Sequence, residues 1–431
     1  MNKLFFRSSF ILLSAALLVV SGFFVAVSPA LAAAIVTPAS EGTNISIDIT
    51  SALGGSGTYK ILSGPSITEI IAGDITVGTH TITLPTGWEF DTGFTINISA
   101  YGGDIVLGFT SITPDLTSFS FNVTSISTSA SVLGFSNLKV RPTGTSPSTN
   151  NMTHSGGGIA GVVNGSTNFG TLSTVAGRVA KVAFTTQPGG AVYGSELSPQ
   201  PVVKTQDQFG NDSTSGLGAN KIVTLTLTGT GALQGAASLD IGTSAGNGIA
   251  AFTNLTVDAV GAKQLTAEAT DLANAVSNSF DITPKTLTAT ITAISKIYDG
   301  SNSATFTNPT PVGAAFSDVL SLSGGFATFA DANVGPGKTV TATGLILGGD
   351  NGGNYTYDGA ATGMADITEK PITVTANAGQ TKVYGEDDSV LTYTPSESLI
   401  TGNSFTGALS RAGGGENVGR DDKKSTLYKR T

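Results

Sequence analysis

A few short clusters in this sequence carry residue types that can do chemistry. Gly242-Thr243-Ser244-Ala245-Gly246 has the G-x-S-x-G spacing that presents a nucleophilic serine on a sharp strand-to-helix turn. Ser244 would then need a histidine later in the chain. The only histidines, His80 and His154, both precede it, and no helical period follows. Gly156 to Gly161, GGGIAG, has the spacing of a dinucleotide-binding loop. That loop must open a helix, whereas the next residues, VVNGSTNFG, read as strand and turn. His80 shares a strand face with Ile82 and Leu84 and reads as a partly buried residue at a strand start, while His154 lies in NNMTHSGGG, which reads as a loop. Two histidines and no cysteine are too few for a zinc site. Asp207 with Asn211 and Asp212, Asp350 with Asn351, and Glu386 with Asp387 and Asp388 put oxygen ligands into turns. Calcium is the one metal such loops would suit, but their order is not that of an EF-hand, and plain turn chemistry accounts for them. Trp88 and Phe90 could stack on a sugar, yet they share parity with Ile82 and Leu84, which points them into a core. The sequence therefore predicts no catalytic, cofactor-binding or metal residue, no cofactor and no enzyme.

The elements that would position these groups are strands. Phe94, Ile96, Ile98 and Ala100 alternate with Thr95, Asn97 and Ser99; Phe119, Phe121 and Val123 alternate with polar neighbours; Val223, Leu225 and Leu227 oppose three threonines, as do Leu287, Ala289 and Ile291. A period of two marks strands with one buried and one wet face. Thr fills the wet face because its branched Cβ fits the pleat. Turn residues such as Pro85-Thr86-Gly87, Pro188-Gly189-Gly190 and Asp299-Gly300 recur every eight to twelve positions, the spacing of β-sandwiches. No convincing amphipathic helix is present. The fold class expected is all-β.

The ends and the composition bound the setting. Lys3 and Arg7 precede an apolar run from Phe10 to Val27, and a small-x-small site follows at Ala30-Leu31-Ala32. This is the layout of a secretory signal peptide over 1–32; the run of 18 residues is also near the lower limit for a transmembrane helix, so an uncleaved anchor is the alternative. Cleavage near Ala32 would leave no membrane span and, by removing two cations, would take the net charge from −9 to −11. An acidic chain lacks the cationic surface that phosphate backbones need, so nucleic acid is not an expected partner. With no cysteine, each domain must stand on its own core. Charged residues make up 12% and hydrophobic ones 39%, which argues against wholesale disorder.

The sequence also repeats itself. Asp281-Ile282-Thr283 and Asp366-Ile367-Thr368 lie 85 residues apart, and each is followed within a few residues by a new alternating run. Lys296-Ile297-Tyr298 and Lys382-Val383-Tyr384 then occupy equivalent places. Self-similarity at this length means tandem domains. A strand that puts Lys and Tyr on one face and then turns explains what is retained, so both tyrosines read as scaffold. KIYDGSNSATFT, with the later ANVGPGKTVTATGLILGGDNGGNYTYDG, resembles the YDG domain of bacterial secreted proteins. KPITVTANAGQTKVYGEDDSVLTYT and its continuation to Gly419 resemble the MBG domain, a mostly-β Ig-like module. FTTQPGGAVYGSELSPQPVVKTQDQFGND is similar to bacterial Ig-like repeats of large surface proteins.

The expected layout is a signal peptide at 1–32, an N-terminal β-sandwich at 34–178, an Ig-like domain at 179–283, a YDG-like domain at 284–368, a partial MBG-like domain at 369–419 and a charged, disordered tail at 420–431. The tail RDDKKSTLYKRT departs from the MBG pattern, as a truncated or frameshifted reading frame would. The resemblance implies a secreted or cell-surface adhesin-like protein whose partner is an extracellular protein or glycan. The alternative expectation is a carbohydrate-binding protein acting through the N-terminal sandwich.

Overall fold

The computed structural model describes residues 33–53, 58–112, 114–383 and 385–410. The expected signal peptide, Tyr384 and the charged tail lie outside them. Among the described residues there is no α-helix, and no helix is long and apolar enough to cross a membrane. The described residues form two compact units, one up to residue 178 with 207–215 and one of 179–206 with 216–410.

The first unit is built from a five-stranded, a six-stranded and a three-stranded sheet. The five-stranded sheet runs in the order Ile35–Thr37, Ser66–Thr68, Val132–Ser136, Ile96–Tyr101, Ser111–Ile112. In the six-stranded sheet Gly78–Thr83 lies between Ser118–Ser125 and Thr149–Gly156. The alternating runs bury the faces their period marks: Phe119, Phe121 and Val123 from one sheet share a core with Ile67, Ile98, Leu133 and Phe135 from another. Trp88 and Phe90, on the strand Trp88–Phe90, are buried in this core. The unit's last strand, Gly170–Val175, pairs in parallel with its early strand Ile45–Ser46.

The second unit begins with a layer of Val179–Thr186, Val202–Asp207 and Ile249–Ala251. It packs with a sheet in which Gly261–Ala269 lies between Ile222–Thr228 and Phe280–Thr283. Next comes one seven-stranded sheet over Lys285–Thr368. It returns on itself, because Lys285–Ile294 pairs both with Ser303–Val312 and, at Thr290↔Thr362, with the final strand Ala360–Thr368. Small side chains, Ala289, Ala327, Ala342, Ala361 and Ala365, fill the narrow interior with Phe329 and Val340, as a closed sheet of few strands requires. Leu287 and Tyr355 from this sheet belong to the preceding core, so the two layers are joined by packing. Beyond it, Val374–Ala376 pairs with Tyr393–Pro395 in a two-stranded sheet.

Candidate functional site

The residues with reactive side chains are held by the fold. Ser244 follows Ser238–Asp240 in a turn, and its hydroxyl faces Ala219 O, Asn220 Oδ1 at 2.7 Å and Asp240 Oδ2 at 3.3 Å. Gly156 closes the strand Thr149–Gly156, and the GGGIAG segment continues into turns, with Ile159 bridged to Ile75. Its glycines have a packing cause: a Cβ on Gly157 would come within 2.5 Å of the His80 ring.

The histidines correct two readings. His154 lies in a strand, not a loop, and is 1% exposed, while His80 is fully rather than partly buried, at 0% exposure. His80 Nδ1 and His154 Nε2 are 3.1 Å apart, and His80 Nε2 is 2.9 Å from Thr76 O. Because a carbonyl can only accept, His80 Nε2 carries a hydrogen, and His154 Nδ1, 2.8 Å from Asn164 Oδ1, likewise donates to an oxygen that only accepts. Each ring also stacks on an aromatic neighbour, Phe121 and Phe169 respectively. Burial lowers the pKa of both.

The oxygen-rich turns are filled by N–H groups. Asp207 Oδ1 accepts from Phe209 N and Asn211 N, and Oδ2 from Gly177 N and the Asn211 amide. Burial alone would raise its pKa, but these donors outweigh burial and lower it. Asn351 donates to Asp318 at 2.7 Å, and Lys382 binds Glu386 O and lies 3.8 Å from Asp388. Asp212, Asp350 and Asp387 join no metal-like group: among the described residues no cluster of three or more His, Asp or Glu could hold a metal ion. Trp88 is in the core, and the rings that do reach the surface nearby are covered by cations, Tyr59 by Arg141 and Phe94 by Lys139.

One end of the first unit differs. There the loops 69–74, 101–106 and 125–131 meet over three carboxylates. Glu69, 3% exposed, accepts from Ile75 N at 3.1 Å, Ser127 Oγ at 2.6 Å and Ser131 N at 2.9 Å. Asp74, also buried, accepts from Ile70 N and Ile71 N. Asp104 accepts from the Thr128 hydroxyl and from Thr128 N and Ser129 N, donors that pull its pKa down to about 2. Gly73 N donates to Ser127 Oγ, tying the first loop to the third. Pinned in this way, the loops present Ile70, Ile71 and Ile126 to solvent at 43%, 48% and 49% exposure. Sequence reasoning missed this end. The signal was there in Glu69-Ile70-Ile71, an apolar pair off the strand register beside a carboxylate, but a loop contact 58 residues away in sequence, Glu69 to Ser127, leaves no periodic trace.

Comparison with known proteins bears on the second unit. The YDG domain family matches residues 283–363, and the MBG domain family of the YGX type matches residues 372–421. No curated protein matches the sequence. Among solved structures, the chain is similar to FdeC, an Escherichia coli adhesin, at 11% identity over 77% of this chain and 96% of that one, with a TM-score of 0.29. It is similar to the titin I-band fragment I67–I69 at 11% identity, over 69% and 94%, TM-score 0.22. The pilus adhesin SpaC from Lactobacillus rhamnosus GG aligns at 10% identity, over 69% and 57%, TM-score 0.19. Scores at this level do not establish a shared arrangement of domains. Among the described residues the regular elements are nearly all strands, and the matches to the YDG and MBG families lie at 283–363 and 372–421.

Proposed function

We propose that the chain is a non-catalytic, exported surface protein: a series of β-modules that serves as a structural support and attaches to an extracellular protein or glycan. The YDG and MBG domains support this reading. The observation that carries the attachment role is the pinned loop end of the first unit. Buried carboxylates hold three isoleucines in water, an arrangement that costs solvation without serving the core and that favours a rigid partner contact.

Beads coated with the full chain, tested on immobilised collagen, fibronectin and laminin and on a glycan array, test it. Attachment is expected to at least one surface and to fall by about fivefold or more when Ile70→Ser, Ile71→Ser and Ile126→Ser are combined, as loss of central apolar contacts does. Attachment unchanged by the triple variant contradicts the reading. A carbohydrate-binding reading has one observation in its favour. Tyr101, at the end of strand Ile96–Tyr101 and leading into the same loops, is 60% exposed. Glycan binding lost in Tyr101→Ala but kept in the isoleucine variant would put that reading first.

A further inference from the structure

The tyrosine turns recur as a structural unit, and the sequence repeat understates it. Ala191–Val192 pairs in parallel with the module-closing strand Phe280–Thr283, in the register Ala191↔Ile282 and Val192↔Thr283. Lys296–Ile297 pairs in parallel with the next module-closing strand, Lys296↔Ile367 and Ile297↔Thr368. The tyrosine that follows donates its N–H to the closing threonine in both cases, Tyr193 to Thr283 O at 2.8 Å and Tyr298 to Thr368 O at 2.9 Å. The threonine hydroxyls return the contact, to Ala191 O at 3.4 Å and Lys296 O at 3.3 Å. A residue clamped to the closing threonine stands where the chain leaves its module, since the next strand begins at Lys285 after the first of them.

From that position each tyrosine reaches the following module. The Tyr193 hydroxyl donates to Asp318 Oδ2 at 2.9 Å, with its ring edge-on to Phe316 and Tyr355 at 5.2 Å each. Tyr355 and Asn351 donate to the same carboxylate. The Tyr298 hydroxyl accepts from Asn403 Nδ2 at 3.2 Å. The turn glycines mark the same seat. Gly194, φ 81°, would place a Cβ 2.4 Å from Ala315, and Gly300, φ 80°, would place one 2.6 Å from Ile400. Both need glycine twice over, for the positive φ and for the neighbour's approach.

We propose that this Tyr-Gly turn is a docking surface for the next β-module in the chain. It recognises a carboxylate or carboxamide that bonds the tyrosine hydroxyl and a small or aliphatic side chain that seats on the glycine. The proposal does not rest on the adhesive reading; its failure would leave that reading standing, because the two use different surfaces and different measurements.

The chain has no cysteine, so spin labels can be placed cleanly. Labels on Thr226→Cys and Ser321→Cys in the full chain report the first joint, and a pair placed likewise reports the second. The wild type is expected to give a single narrow distance distribution. Tyr193→Phe keeps the ring but loses the hydroxyl, and is expected to lose the narrow distribution while the melting of both modules persists; Tyr298→Phe should do so at the second joint. Tyr357→Phe, whose buried hydroxyl has no partner, is the control and should stay narrow. Should Tyr193→Phe disturb folding, Asp318→Asn removes the charge from the other side and is expected to broaden the same distance. A distribution that stays as narrow as wild type in Tyr193→Phe, or in Asp318→Asn, overturns the proposal.

Discussion

At the residue scale, the polar groups that looked reactive serve the fold. The His80–His154 pair shows this most sharply and has a pH consequence. Burial lowers both pKa values from the ordinary 6.5. The unfolded chain therefore takes up protons on these rings below about pH 6.5 while the folded one resists. Their contribution to stability is complete above that pH and is lost as pH falls towards the folded values. Trp88 is the only tryptophan and lies in the same core, so its emission reports this unit. Its melting temperature is expected to be lower at pH 5 than at pH 7.5, with a shallower dependence in His80→Gln/His154→Gln; equal slopes in the two proteins would contradict the assignment. Tyr357 makes a second case. Its hydroxyl is buried without a partner, so Tyr357→Phe is expected to be neutral or to stabilise by up to about 1–3 kcal/mol, the penalty of an unmet buried polar group. A marked loss in thermal melting would show a bond not seen here.

At the element scale, strands with apolar alternation were legible. Phe119, Phe121 and Val123, or Leu287, Ala289 and Ile291, point inward as their period requires, because a sheet face admits no other spacing. NNMTHSGGG hid a strand for a physical reason. Asn, Thr, Ser and Gly favour turns, and its inward residues, Met152 and His154, include a polar ring that its partners His80 and Asn164 make tolerable. The closure of the seven-stranded sheet at Thr290↔Thr362 and the seats of Ala315 and Ile400 are long-range, and local propensity carries no record of them. Turn chemistry was legible in kind but not in role. Asp207 was readable as a turn former, yet its bond to Gly177 N makes it a clamp between segments 30 residues apart. Asp207→Ala leaves that buried N–H unmet, along with Phe209 N and Asn211 N, and is expected to cost about 2–3 kcal/mol or more. Chemical denaturation reads this; a midpoint unchanged from wild type would show the loop to be held by something else.

At the scale of the whole molecule, the chain joins modules that share one closing device. In each of the three larger modules an early segment pairs in parallel with the last strand: Ile45–Ser46 with Gly170–Val175, Ala191–Val192 with Phe280–Thr283, and Lys296–Ile297 with Ala360–Thr368. Tension applied through the two ends of such a module shears the paired backbone bonds together rather than opening them one at a time, which raises the barrier that governs forced unfolding. This is the property a structural support needs, and it asks nothing of disulfides, which a chain without cysteine does not have. The most direct measurement of the proposed supporting role is stretching single molecules of the full chain between surface and tip. The account predicts separate unfolding steps, each releasing roughly 300 Å or more for a module of this length at about 3.5 Å per residue. Smooth extension at the force of an unstructured chain, with no discrete steps, would contradict it.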